Sequence, residues 1–315
     1  MKLIFMGSPD LAAAILRALY DGGHCIAGVV TGTDKARGRK GTPVPTDVGA
    51  LAEELGLPLL KTPKVRREED LAWIRAKEAD AVIVAAFGQL LPAELLTMTR
   101  YGCINVHASL LPAYRGAAPI QWSVLNGESR TGVTIMQMDE GLDTGDILTQ
   151  EEVPISEDDT SGSLFVKMAE AGGRLLLKTL PMIENGTVNP IRQPAESTTP
   201  YAGRITKEMG CINWSESAAR INAWIRGMNP WPCAYTYLDG KMLKIWRASV
   251  KTSDNAAPEK EPGEILSSGK DGIAVKTGEG TILLWEIQME GRKRMNAADF
   301  LRGYTIRENR LKERP

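Results

Sequence analysis

The chain holds two histidines, His24 and His107, among 315 residues. That scarcity leaves few candidates for chemistry that needs a base near neutral pH. Cysteine is as sparse. Cys25, Cys103, Cys211 and Cys233 are scattered, with no C-x-x-C pair, which argues against a disulfide framework and against a structural zinc site. The longest apolar runs, such as AVIVAAFG from Ala81, fall far short of the ~20 residues of a membrane span. The opening MKLIFMGSPD has neither the apolar stretch of a secretory signal nor an Arg/Ser-rich transit character, so a cytoplasmic protein is expected. The first turn, Gly7-Ser8-Pro9, lacks G-x-G-x-x-G. Without those glycines the backbone cannot approach a pyrophosphate closely, which disfavours a nicotinamide dehydrogenase.

What is present is an ordinary globular composition, 43% hydrophobic and 24% charged, at a length that suggests about two domains. The net charge of −1 is unevenly spread: residues 1–206 carry 20 Lys and Arg against 25 Asp and Glu, and residues 207–315 carry 18 against 14. A mildly basic C-terminal third hints at a polyanionic partner. Through residue 189, apolar runs alternate with amphipathic stretches. KLIFMG (2–7), CIAGVV (25–30), DAVIVAAF (80–87), GCINVH (102–107) and TGVTIMQMD (131–139) are continuous enough for strands buried on both faces. Helical spacing separates them, for example over 9–23, 46–56, 68–79 and 117–128. Such alternation predicts an α/β domain on a Rossmann-like, doubly wound parallel sheet over 1–189. Residues 190–206, rich in proline and threonine without periodicity, are expected to be a linker. Residues 207–315 predict one helix and then short alternating strands with turns at Asp239-Gly240 and Gly278–Gly280, an OB-like β-barrel domain.

Chemistry concentrates in CINVHASLLPAYRG (103–116). In a doubly wound sheet ligands bind beyond the carboxyl ends of the strands, and GCINVH delivers its last residues there. Strand side chains alternate, so Asn105 and His107 share a side. One offers an amide donor and the other an imidazole, a pair suited to a reaction that builds negative charge on a carbonyl oxygen. A carboxylate bonded to the imidazole would fix its tautomer. MDEGLDTGDIL (138–148) offers Asp139, Asp143 and Asp146, and spacing alone does not choose among them. A calcium loop is excluded, because the twelfth position from Asp139 is Gln150 and not a bidentate Glu.

INVHASLLPAYRGAAPIQWSVLNGE followed by TGVTIMQMDEGLDTGDIL closely resembles the folate-dependent formyltransferases, and within them the branch whose acceptor is methionyl-tRNA. The resemblance runs from IFMGSPD near the start to NPWPCAYTYLDGKMLKIWRAS in the C-terminal third. It implies Asn105, His107 and Asp143 as the catalytic trio, and Ser109, Leu110, Leu111 and Pro112 as the border of the tetrahydrofolate site. It also implies formyl transfer from 10-formyltetrahydrofolate to the α-amino group of methionine on initiator tRNA, without a metal, by a cytoplasmic bacterial protein expected to be a monomer. The basic stretch GTDKARGRKGTPVP (32–45) is similar to a tRNA-reading loop of that branch, whose arginine aligns with Arg39; Arg37, Arg39 and Lys40 are expected to act at the acceptor stem. Arg292, Lys293 and Arg294 are read as contacts to RNA phosphates. The final RENRLKERP is expected to be a frayed end, and Trp231 of NPWP to pack at the domain junction. The rivals are a formyltransferase acting on glycinamide ribonucleotide or on a sugar nucleotide, a hydrolase of the same folate, and an inactive RNA-binding protein.

Overall fold

The computed structural model describes residues 1–37, 41–251 and 259–314. They fall into two compact units: Met1–Pro119 with Arg130–Pro154 and Phe165–Gly203, and Ile120–Ser129 with Ile155–Leu164 and the chain from Arg204 on. The elements run in chain order as β1 (Lys2–Gly7), α1 (Asp10–Asp21), β2 (Cys25–Thr31), β3 (Lys35–Arg37), β4 (Thr42–Val44), α2 (Asp47–Glu54), β5 (Leu59–Lys61), α3 (Glu68–Arg75), β6 (Ala81–Ala85), α4 (Ala93–Leu96), β7 (Cys103–His107), α5 (Pro119–Leu125), β8 (Arg130–Gln137), β9 (Ile147–Pro154) and α6 (Ser161–Glu184). The remainder is α7 (Ala218–Gly227), β10 (Ala234–Leu238), β11 (Lys241–Lys251), β12 (Ile265–Gly269), β13 (Gly272–Lys276), β14 (Thr281–Met289), β15 (Met295–Asn296) and α8 (Ala297–Arg302).

In the first unit the sheet order is β5-β2-β1-β6-β7-β8-β9. The first five are parallel, and their apolar runs are buried: Leu3, Ile4, Phe5, Ile83 and Ile104 are fully enclosed. Helices on both faces exclude water from such a sheet, which is why these strands carry no polar alternation. The sheet is not parallel throughout. β8 pairs antiparallel with β7, and β9 antiparallel with β8, so the parallel direction expected for β8 is corrected. A helical connection usually returns a parallel strand, but the connection through α5 does not. The glycine pair inside α6 has a packing cause: a Cβ on Gly172 would stand 3.0 Å from Val106 of β7, and one on Gly173 2.8 Å from Ala18 of α1.

In the second unit β10-β11-β14-β13-β12 form an antiparallel sheet, with β15 beside β14. Its alternating strands enclose Leu243, Ile245, Leu284, Ile287 and Phe300. The terminal segment is not frayed. Tyr237 of β10 exchanges backbone hydrogen bonds with Lys312, while Ile265 of β12 donates to Asn309 and Leu311 donates to Gly263. One short segment thus covers both edge strands, which closes the sheet towards a barrel and removes its open edges. Leu311, 1% exposed, anchors it. Trp231, in contrast, is 53% exposed.

Candidate active site

β7 carries Asn105 and His107 into a buried position, 8% and 6% exposed respectively, with Met136 and Thr134 of β8 opposite them. Because β8 is antiparallel, the loop after it starts beside Ile104, and Asp143 reaches back along β7 to face His107. Nδ1 of His107 lies 3.6 Å from Oδ1 of Asp143, and Nε2 lies 3.2 Å from the carbonyl oxygen of Tyr114. Both ring nitrogens therefore face acceptors. A neutral imidazole has one N–H and serves one of them; an imidazolium serves both. The side chain of Asn105 has no hydrogen-bond partner among the described residues, although it is nearly buried. Its amide is free for a substrate oxygen.

The structure chooses among the three aspartates. Oδ1 of Asp139 accepts from the Gly141 N–H (3.0 Å) and the Thr144 hydroxyl (2.8 Å), so it shapes the loop. Asp146 is exposed, and its carbonyl accepts from Gln137. Asp143 alone meets the histidine. Its φ of +55° lies in the left-handed region, which is uncommon for a non-glycine residue and clusters at functional sites. Its Oδ2 accepts from the Gly116 N–H at 2.9 Å.

The Ser109–Pro112 turn folds over β8 on a buried polar network. The Thr134 hydroxyl donates to Ser109 O (2.7 Å) and accepts from Leu111 N–H (3.0 Å) and from Nε2 of Gln150 (2.9 Å). Ser109 Oγ donates to Ala113 O. Leu111 points inward against Met136 and Ile147, and Leu110 sits where a Cβ on Gly132 would be. What the turn can offer a ligand is therefore backbone, the outer face of Leu110 and Pro112. Burial pushes the Cys103 thiol, on the same strand, up to about 12; it is held neutral and is no nucleophile.

Residues 1–180 match the family described as formyl transferase, and residues 204–305 match the formyl transferase C-terminal domain. The methionyl-tRNA formyltransferase of Lachnospira eligens is 47% identical over 96% of each chain, and that of Bacillus cytotoxicus is 45% identical over 96% of each. The chain belongs to the methionyl-tRNA formyltransferase family. More distant solved structures share the fold. An N-formyltransferase from Helicobacter canadensis, in complex with folinic acid and dTDP-3-aminofucose, superposes with a TM-score of 0.67 at 18% identity, covering 92% of this chain and 99% of the other. HypX from Aquifex aeolicus with tetrahydrofolic acid gives 0.63 at 17%, covering 96% and 47%.

The basic residues differ in their surroundings. β3 and β4 pair as a hairpin that places Arg37 opposite Thr42; Arg39 and Lys40 lie outside the described residues. Lys61 anchors the start of the hairpin, binding Asp34 at 3.1 Å and Glu53 at 2.9 Å. In the second unit Arg294 is committed: Glu286 takes it bidentately (2.6 and 2.7 Å), and its guanidinium lies 4.4 Å from the Trp246 ring. Arg292 lies over Tyr304 and Phe300. Lys293 is exposed and has no charged partner among the described residues. The loop after β6, for which no role was read from the sequence, leaves the sheet at the same edge as Asn105 and His107, because β6 and β7 are parallel neighbours. It opens with Ala86 at φ +43°. Gln89 ties it down by accepting from Val65 N–H and donating to Thr62 O, while Leu90 stays 69% exposed. The visible signal was an apolar Leu90-Leu91 pair after a glycine, where a turn calls for polar residues. Among the described residues no helix is long and apolar enough to cross a membrane.

Proposed function

We propose that this protein transfers the formyl group of 10-formyltetrahydrofolate to the α-amino group of methionine on initiator tRNA, as a monomer in the bacterial cytoplasm. The observation that carries the chemistry is a nearly buried, unpartnered Asn105 amide beside a histidine faced by a carboxylate. Family membership supports the acceptor, and folate-bound fold neighbours support the donor class.

The residues at hand fit a flat heterocycle with a reactive carbonyl. The loop after β6 presents an exposed leucine while its backbone is anchored, and the Ser109–Pro112 turn has its buried polar atoms satisfied internally. Both offer apolar surface that makes no competing demand for hydrogen bonds. Leu110, Pro112 and the backbone of the turn would border the folate, with Asn105 at its formyl oxygen. The bound folate supplies the formyl carbon and an amine leaving group. As the acceptor amine attacks, Asn105 donates to the oxygen on which negative charge grows, an effect of ~2.7–4 kcal/mol for one preorganised donor. His107 receives the proton that leaves the amine and delivers it to the departing nitrogen, for which Nε2 must exchange Tyr114 O for the reacting groups. Asp143 holds the imidazolium formed in between. Arg37, Arg39 and Lys40 would meet the acceptor stem, and the basic face around Lys293 the phosphate backbone.

The deciding experiment is formyl transfer to methionyl initiator tRNA, run beside methionyl elongator tRNA and glycinamide ribonucleotide. Selective formylation of the initiator is expected, with most turnover lost in His107→Ala while tRNA binding is kept. Formylation of the small acceptor alone, or formate release without transfer, would overturn the tRNA half of the reading.

A further inference from the structure

The stretch IRQPAESTTPYAG (191–203), without periodicity in sequence, is stitched to the segments that build the site. Arg115 O accepts from Ala202 N–H, Ala202 O accepts from Ala118 N–H, and Ile191 exchanges two backbone bonds with Ile147. Thr199 Oγ1 accepts from Tyr114 N–H, and Ser197 Oγ donates to Pro112 O. The node of this strap is Gln193, which is 7% exposed. Its Oε1 accepts from Nε and Nη2 of Arg115 at 3.2 and 2.9 Å. Its Nε2 donates to the carbonyl oxygens of Asp143 at 3.0 Å and of Gly145 at 2.6 Å.

The orientation of that amide is not open to exchange. A guanidinium only donates and a carbonyl only accepts, so Oε1 must face Arg115 and Nε2 must face the loop. Arg115 is itself buried, 7% exposed, and is aimed by the carbonyls of Pro194 (2.8 Å) and Ala195 (3.1 Å). Gln193 thus grips the backbone on both sides of Thr144, at a loop whose Asp143 holds a φ of +55°. A residue persists in that region only where its surroundings over-determine it. Among the described residues the carboxylate accepts one protein hydrogen bond, from Gly116 N–H, and Nδ1 of His107 stands 3.6 Å away.

We propose that Gln193 is a positioning residue for the reaction: with Arg115 behind it, it fixes the Asp143 backbone so that the carboxylate faces Nδ1 of His107. This inference rests on the reading of Asp143 and His107 as the working pair. Sequence position hid it, because Gln193 lies 50 residues beyond Asp143.

The test is Gln193→Glu. A glutamate keeps the acceptor towards Arg115, now as an ion pair, but sets lone pairs against two carbonyl oxygens where an amide donated. The variant is expected to melt within a few degrees of the parent and to keep both KM values within about twofold. Its kcat should fall about 10- to 100-fold, the scale of a misplaced reacting geometry. With two histidines in the chain, ring-nitrogen NMR gives a second readout: the His107 signals should shift and those of His24 should not. If the variant does not fold, Gln193→Met, of similar length and without donors, is judged by the same criteria. Asp143→Asn is measured alongside. Wild-type turnover in Asp143→Asn would overturn the reading of the pair and this inference with it. An inactive Asp143→Asn beside a Gln193 variant with normal kcat and unmoved His107 signals would overturn the inference alone.

Discussion

Thr134→Val isolates the network under the Ser109–Pro112 turn. Valine matches threonine in shape, so the substitution removes a hydroxyl and leaves little cavity. Thr134 is fully buried, and its Oγ1 satisfies Leu111 N–H, Ser109 O and Nε2 of Gln150. Gln150 still reaches Leu111 O at 2.9 Å, so its amide is not stranded. Two backbone groups are: the Leu111 N–H and the Ser109 C=O. Each orphaned buried group costs ~1–3 kcal/mol, and partial relaxation of the turn sets the expected loss at about 3 kcal/mol. For a domain of this size that corresponds to roughly 6–12 °C in melting temperature. Relaxation moves the turn proposed to border the folate, so KM for 10-formyltetrahydrofolate should rise severalfold while KM for tRNA holds. Thr134→Ser restores the hydroxyl, gives up one methyl, and should recover the folate KM at a cost of about 1 kcal/mol. Thermal melts and initial rates over a folate titration measure both. A valine variant within 1 kcal/mol of the parent, with its folate KM unchanged, would refute the argument that this hydroxyl holds the turn.

Asp70 is buried and accepts from Nε and Nη2 of Arg67 and from the Thr62 hydroxyl, and the Arg67 guanidinium holds its carboxyl below the usual range. A lowered folded-state value stabilises above the unfolded value and loses that contribution as pH falls through it. Asp70→Asn should therefore cost ~2–3 kcal/mol at neutral pH, with the gap from the parent closing below about pH 4 in denaturant titrations. In the second unit, Lys293→Ala should lower the slope of log K against log salt for tRNA by about 1. Arg294→Ala should change that slope less, because Glu286 already matches its charge; filter binding over a salt series separates the two.

The parallel part of the first sheet was legible because burial on both faces writes an unmistakable pattern: β1, β2 and β6 are nearly continuous apolar runs, and a strand with no polar side has one environment available. β9 shows the opposite case. ILTQEEVP is an edge strand with a solvated face, so its polarity suited a loop as well as a strand. The direction of β8 was not legible, since its apolar run is the same either way and only the return path decides. The hairpin of β3 and β4 and the closure by Asn309–Lys312 rest on backbone pairing of short segments, in which a single buried leucine, Leu311, is too little to write a periodic hydrophobic signature.

The site divides along the same line. Asn105 and His107 could be read because residues two apart on one strand must share a side, and because a chain with two histidines leaves little else for a base. The choice of Asp143 needed the resemblance, because turn chemistry permits all three aspartates. What singles it out physically is not in its own loop. Asp139 is consumed by Gly141 and Thr144, Asp146 is turned outward, and Asp143 is presented by hydrogen bonds from Gly116 and Gln193, both far away in the chain. Composition reads such a segment as a linker because it lacks periodicity. Yet a strap needs none, since its order comes from bonds to partners it finds only after the sheet has formed. Of the residues proposed to carry the chemistry, Asn105 and His107 were therefore visible in sequence, and the residues proposed to aim them were not.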